Sequence, residues 1–94
     1  MIKEADEKSL SRLRDLLEQT DRWPLRYMFK FIVPNNNSKV DSVVALMPQG
    51  GKTSFNCSKD LHYVSVTHVV DMRSADDIVN VVRNATSITG VISL

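Results

Sequence analysis

The order in which apolar periodicities alternate along the chain restricts its fold more than any other feature. From Pro24 to Leu94 the pattern runs strand, helix, strand, strand, helix, strand, with one more amphipathic stretch ahead of it. Leu25, Tyr27, Phe29, Phe31 and Val33 alternate with Arg26, Met28, Lys30 and Ile32, the period of two that marks a half-buried strand. The odd positions, three of them aromatic, are the expected core face. Pro34 removes a backbone donor and ends the run.

The turn Asn35-Asn36-Asn37 follows, and Ser38 is a suitable N-cap for a helix over Lys39–Met47. Val40, Val43, Val44 and Met47 hold the i, i+3, i+4, i+7 spacing of a buried stripe, and Pro48-Gln49-Gly50-Gly51 stops the helix. Lys52–Ser58 reads as a weaker strand with Thr53, Phe55 and Cys57 on one side. Ser58-Lys59-Asp60 connects it to a long β-branched run, Leu61–Met72. Val64, Val66, His68, Val70 and Met72 share one face of that run; Tyr63, Ser65, Thr67 and Val69 share the other. Ser74-Ala75-Asp76-Asp77 has the spacing of a capping box, ahead of a helix whose expected stripe is Ile78, Val81, Val82 and Ala85. Thr89-Gly90 turns the chain into a short closing strand, Val91–Leu94.

Two split strand–helix–strand units predict an α+β fold, the ferredoxin-like βαββαβ two-layer sandwich. Right-handed crossovers give a four-stranded antiparallel sheet in the order 4-1-3-2, with the two most apolar runs at its centre. An extra helix over Glu4–Gln19 precedes it, with Leu10, Leu13, Leu16 and Leu17 on one side. The expected division is a helical extension over residues 1–22 and a single domain over 23–94. The narrow leucine stripe leaves two destinations open: its own domain, including the bare sheet face, or a neighbouring molecule.

A chain of 94 residues supplies one core, and 43% hydrophobic with 24% charged content is ordinary for a globular domain. From Arg22 to Lys59 six basic side chains (Arg22, Arg26, Lys30, Lys39, Lys52, Lys59) meet one acid, Asp41, in a chain of net charge +1. This basic middle third invites an anionic partner or merely solvates the surface. A single Cys57 makes no internal disulfide, so a cytoplasmic location is expected. The charged N-terminus reads neither as a signal peptide nor as a membrane helix.

No residue constellation supports catalysis. Gly50-Gly51-Lys52-Thr53 lacks the first glycine of a phosphate loop, Leu46 standing in its place, and leads from a helix into a strand rather than the reverse. Cys57, His62 and His68 match no zinc spacing, and the two histidines would lie roughly 20 Å apart along one strand. Asp76 and Asp77 complement a helix dipole. No metal, cofactor or enzymatic activity is expected. The uncovered sheet face, mixing Met28, Lys30 and Ile32 with Tyr63, Ser65 and Thr67, is the expected binding surface, together with the turn Asn35, Asn36, Asn37 and Ser38.

Tyr27-Met28-Phe29-Lys30-Phe31-Ile32-Val33-Pro34, the Val40/Val43/Ala45-Leu46 helix, Tyr63-Val64-Ser65-Val66-Thr67 and the terminal Gly90-Val91-Ile92-Ser93-Leu94 resemble the small YbeD-like family of bacterial domains. The resemblance covers roughly Trp23 to Leu94. It implies an α-β plait of the ACT type, which binds small effectors in regulatory proteins, and no established activity. ACT-type sites commonly carry a glycine where the first strand meets the first helix; here Pro34-Asn35-Asn36-Asn37-Ser38 has none. The combined expectation is a non-enzymatic regulatory or protein-interaction module. Its partners would be a second copy in a homo-oligomer (a dimer), another protein or a small-molecule effector, with no membrane. The alternative is a nucleic-acid-associated module working through the basic middle third. A single tyrosine, Tyr63, on the open face is a poor platform for stacking bases.

Overall fold

The computed structural model describes residues 2–3 and 6–94. Its elements run α1 (Glu7–Glu18), β1 (Leu25–Pro34), α2 (Asn37–Leu46), β2 (Lys52–Cys57), β3 (Tyr63–Met72), α3 (Ala75–Thr86) and β4 (Ile92–Ser93). The four strands form one antiparallel sheet in the order β2-β3-β1-β4, which is the expected 4-1-3-2 order read from the other edge. The architecture is α+β and compatible with a βαββαβ plait preceded by a helix.

The central pair β1–β3 fixes the register. Phe31 lies opposite Val66, Phe29 opposite His68 and Lys30 opposite Thr67. Side chains alternate across a pleated sheet, so this pairing sends Phe29, Phe31, Val33, Val64, Val66, Val70 and Met72 to one face, where all are buried. Tyr27, Phe29 and Phe31 form a continuous aromatic row on that face, with centroids 4.8 and 6.2 Å apart. Burial pushes the Tyr27 hydroxyl above its ordinary pKa. Each fully buried Phe, Ile or Val contributes about 1.5–3 kcal/mol.

The helices cover this same face. In α3 the buried positions are Ala75, Ile78, Val79, Val82, Ala85 and Thr86. Val79 thus belongs to the stripe where Val81 was expected, and Val81 is only half-buried. The reason lies in α1, which packs on α3. Asp76, Val79 and Arg83 follow one another at helical spacing along that flank. Arg14 Nε donates to Asp76 at 2.8 Å, and Arg83 grips both carboxylate oxygens of Glu7 at 3.0 and 3.1 Å. Leu10 and Leu17 are buried and join the common core. The leucine stripe therefore docks in the helical layer, and the sheet's other face is not its destination. The expected start of this helix at Glu4 lies outside the described residues; Asp6 caps the observed helix by accepting from the Lys8 N–H.

Several boundaries differ from expectation: β1 runs on through Pro34, which pairs with Tyr63, α2 ends at Leu46, β2 ends at Cys57 and β4 is only Ile92–Ser93, and two others have a visible cause. The N-cap of α2 is Asn36 rather than Ser38: Asn36 is extended and its Oδ1 accepts from the Lys39 N–H at 3.1 Å, so the helix begins at Asn37. β3 begins at Tyr63, because Leu61 adopts a positive φ of 61° in the connection from β2. The cap of α3 is as expected, with Ser74 Oγ accepting from the Asp77 N–H.

His68 is fully buried within β3. It is 4% exposed, held between the Thr53 hydroxyl at Nδ1 and the Pro48 carbonyl at Nε2, each at 2.7 Å. A carbonyl only accepts, so Nε2 carries the proton there, and in the neutral ring Nδ1 accepts from Thr53. This staple draws the α2–β2 loop onto the sheet so closely that a Cβ on Gly51 would lie 2.5 Å from His68 Nε2 and 2.6 Å from the Val69 carbonyl.

Candidate functional site

The face opposite the helices is built from alternate residues of all four strands. The register places Arg26, Met28, Lys30 and Ile32 of β1 beside Asp71, Val69, Thr67 and Ser65 of β3. Lys52, Ser54 and Asn56 of β2 continue it on one side, and Ile92 of β4, opposite Ile32, on the other. Leu94 extends the β4 side through its N–H, which donates to the Lys30 carbonyl at 2.9 Å.

This face has an apolar content unlike ordinary solvated surface. Met28 is 60% exposed, and Tyr63 and Leu94 are also exposed. Ile32, Val69 and Ile92 are half-buried among them. Its charges are Arg26, Lys30, Lys52 and Asp71, and Asp71 already pairs with Arg26 at 3.4 Å. The two lysines therefore give the face a basic cast. A shallow depression of about 510 Å3 lies within it, lined by Lys30, Ile32, Asn56, Tyr63, Ser65 and Leu94 among others.

The residues expected to bind separate into two groups. Met28, Lys30, Ile32, Tyr63, Ser65 and Thr67 share the open face, and four of them line the depression. Asn35, Asn36, Asn37 and Ser38 sit at the end of β1 and do not line it. Much of that turn is occupied by internal bonds. Asn35 donates from its backbone to the His62 carbonyl and from Nδ2 to the Leu61 carbonyl. Asn36 caps α2, and Ser38 contributes its carbonyl to the Ser42 hydroxyl. Lys39 Nζ ties the same region to the Thr89 carbonyl at 2.8 Å. The turn thus anchors three connections to one another.

Asn56, Ile92 and Leu94 are contributors the sequence reading missed. The alternation of Ile92 and Leu94 around Ser93 carries the signal, once β4 is known to pair with β1.

Only part of the basic middle third reaches the open face as free charge. Lys30 and Lys52 lie on the open face, Arg26 is paired, and Lys39 is bound at the far end of the sheet. Among the described residues no three His, Cys, Asp or Glu side chains come together as a metal site. No helix of the described residues is long and apolar enough to cross a membrane. Comparison with family models, with curated proteins and with solved structures finds no match for this chain.

Proposed function

We propose that this chain is a small non-enzymatic regulatory or protein-interaction module, an ACT-like plait of the YbeD-like type. It works by offering its bare sheet face to a protein or a small effector. One observation carries the reading: α2 and α3 pack on one side of the sheet, with α1 against α3, and a half-apolar, weakly basic surface with a depression is left on the other. Leaving Met28, Tyr63 and Leu94 in water is unfavourable, and covering such a patch is what an interface does. The lysines favour an occupant with a carboxylate or another anionic group beside an apolar portion.

The test is a thermal-shift screen of small carboxylates and phosphates, run on the wild type and on Met28→Glu, together with light scattering. A ligand that binds only the native state raises the melting temperature in proportion to the logarithm of its concentration over Kd. The reading expects a shift or an association that Met28→Glu abolishes. A wild type that neither associates nor responds to any compound overturns it.

Lys30, Lys52 and Tyr63 on one face favour a second reading, a nucleic-acid-associated module. Retention on RNA or DNA that falls steeply with salt supports it, since phosphate contacts release counterions. No retention at low salt removes it.

A further inference from the structure

A third lysine reaches the open face from outside the four strands. The Ile2 N–H donates to the Ser93 carbonyl at 2.8 Å, and the Ser93 N–H donates to the Ile2 carbonyl at 2.7 Å. The antiparallel pairing that starts there sets Lys3 beside Ile92. Successive side chains point to opposite faces of a sheet. Ser93 is buried on the helix side and Ile2 packs against the core, so Ile92 and Lys3 belong to the other side. Both line a second depression, of about 540 Å3, which shares Tyr63 with the first.

The register turns three lysines, far apart in sequence, into a straight diagonal row. Lys52 lies opposite Val69, and Val69 opposite Met28; two residues further along β1 stands Lys30. Two residues beyond Lys30, Ile32 lies opposite Ile92, and Lys3 is the next position outward. Each step is therefore two strands across and two residues along, in the same sense. At about 4.8 Å per strand and about 3.4 Å per residue, each step is about 12 Å and the whole row about 24 Å. All three lysines are exposed, and none forms an ion pair among the described residues. The intervals are apolar: Val69 and Met28 fill the first, Leu94 and Ile92 the second.

We propose that the open face docks one acidic amphipathic helix of a partner protein along this row, which rests on the reading of that face as a binding surface. A surface that alternates basic and apolar groups is complemented by one that alternates acidic and apolar groups. Two turns of helix carry a side chain about 10.5 Å along the same face, close to the lysine step. Acids at every seventh position, with apolar residues midway, therefore meet the three lysines and the two apolar intervals together. A helix also satisfies its own backbone, which suits a face whose backbone groups are used within the sheet. A second copy would bring only more lysine to the row. Nucleic acid finds no stacking platform between the lysines, where the side chains are aliphatic.

Fluorescence anisotropy at low ionic strength, with the full chain titrated into a labelled synthetic helix of about 16 residues, long enough to span the row, tests the proposal. The probe carries glutamate at every seventh position and leucine midway on an alanine–glutamine background; a control peptide has the same composition with its glutamates clustered at one end. The expected result is saturable binding of the spaced peptide and at least about threefold weaker binding of the clustered one. Lys3→Gln, Lys30→Gln and Lys52→Gln should each weaken binding about two- to fivefold, and the triple variant at least about tenfold, the sites being far enough apart to add. Lys8→Gln, on α1, should change nothing. Exposed substitutions of this kind leave the fold intact. No saturable binding below about 1 mM, equal binding of the two peptides, or indifference to Lys3 overturns the proposal. So does a wild type that ignores the peptide but holds a single-stranded oligonucleotide or anionic vesicles through the three lysines. A small carboxylate that raises the melting temperature in a Met28-dependent way, without peptide binding, overturns the helix and leaves the face a binding surface; the failure of both removes both.

Discussion

Replacing Leu10 with alanine isolates what holds the extra helix. Leu10 is 1% exposed between α1 and α3, whereas Leu16, on the same helix, is 60% exposed. Truncating a fully buried leucine typically costs about 2–5 kcal/mol, from lost transfer free energy and the cavity left behind. The side chain is fully buried in the common core, so about 3 kcal/mol, near the middle of that range, is expected. Exposed substitutions stay within about 0.5 kcal/mol. A 94-residue domain has roughly 5–14 kcal/mol in total, so Leu10→Ala removes a large part of it. With a urea slope of about 2 kcal/mol per molar, the midpoint falls by about 1.5 M in Leu10→Ala and barely moves in Leu16→Ala. Equal effects at the two positions would refute the docking of α1 on α3. So would a Leu10→Ala change below about 0.5 kcal/mol.

Gly51→Ala should destabilise by about 1–3 kcal/mol, as overpacking does, because the new methyl meets the Val69 carbonyl and the His68 ring; chemical denaturation measures it, and Gly50→Ala, in open space but at positive φ, serves as the comparison. The Arg83 guanidinium lowers the Glu7 pKa below its ordinary 4.5. A depressed carboxylate pKa stabilises the fold above the unfolded value and loses that contribution as pH falls through the folded one. Melting temperatures should therefore drop more steeply below about pH 4.5 in the wild type than in Glu7→Gln, the two curves converging at the acid end; parallel curves would contradict the pairing.

Central elements were readable in the sequence because their burial is local and periodic. Phe29-Phe31-Val33 and Val64-Val66 alternate without interruption, and pairing the two runs leaves one register with both apolar sets on the same face. The start of α2 was less legible, since Asn36, Asn37 and Ser38 are all competent caps and only the path of the chain after Pro34 selects Asn36. The destination of the leucine stripe was invisible for a different reason: it depends on Asp76 and Arg83, more than sixty residues away. Val79 was missed with it, because its burial follows from the docked α1. Alternation put His68 on the apolar face of β3, but its partners in the Pro48–Gly51 loop and on Thr53 could not be read from one strand alone. Of the candidate site, the β1 and β3 residues followed from alternation alone. Leu94 did not, because the alternation of Ile92 and Leu94 points to the open face only once β4 is known to pair with β1. The Asn35–Ser38 turn attracted attention by composition, and its asparagines prove engaged in capping and in holding the β2–β3 connection.

The claim beneath all of this is that β1 and β3 present Lys30 and Thr67 side by side on an uncovered face. Lys30→Cys with Thr67→Cys in a Cys57→Ser background measures it directly. In a non-hydrogen-bonded antiparallel pair the Cα atoms are about 4.5 Å apart, within disulfide range. Mild oxidation of dilute protein should join the two within one chain, and the reduced form should react at both thiols with a bulky maleimide under native conditions. Failure to close the intramolecular bond, or two thiols that react only after unfolding, would contradict the account.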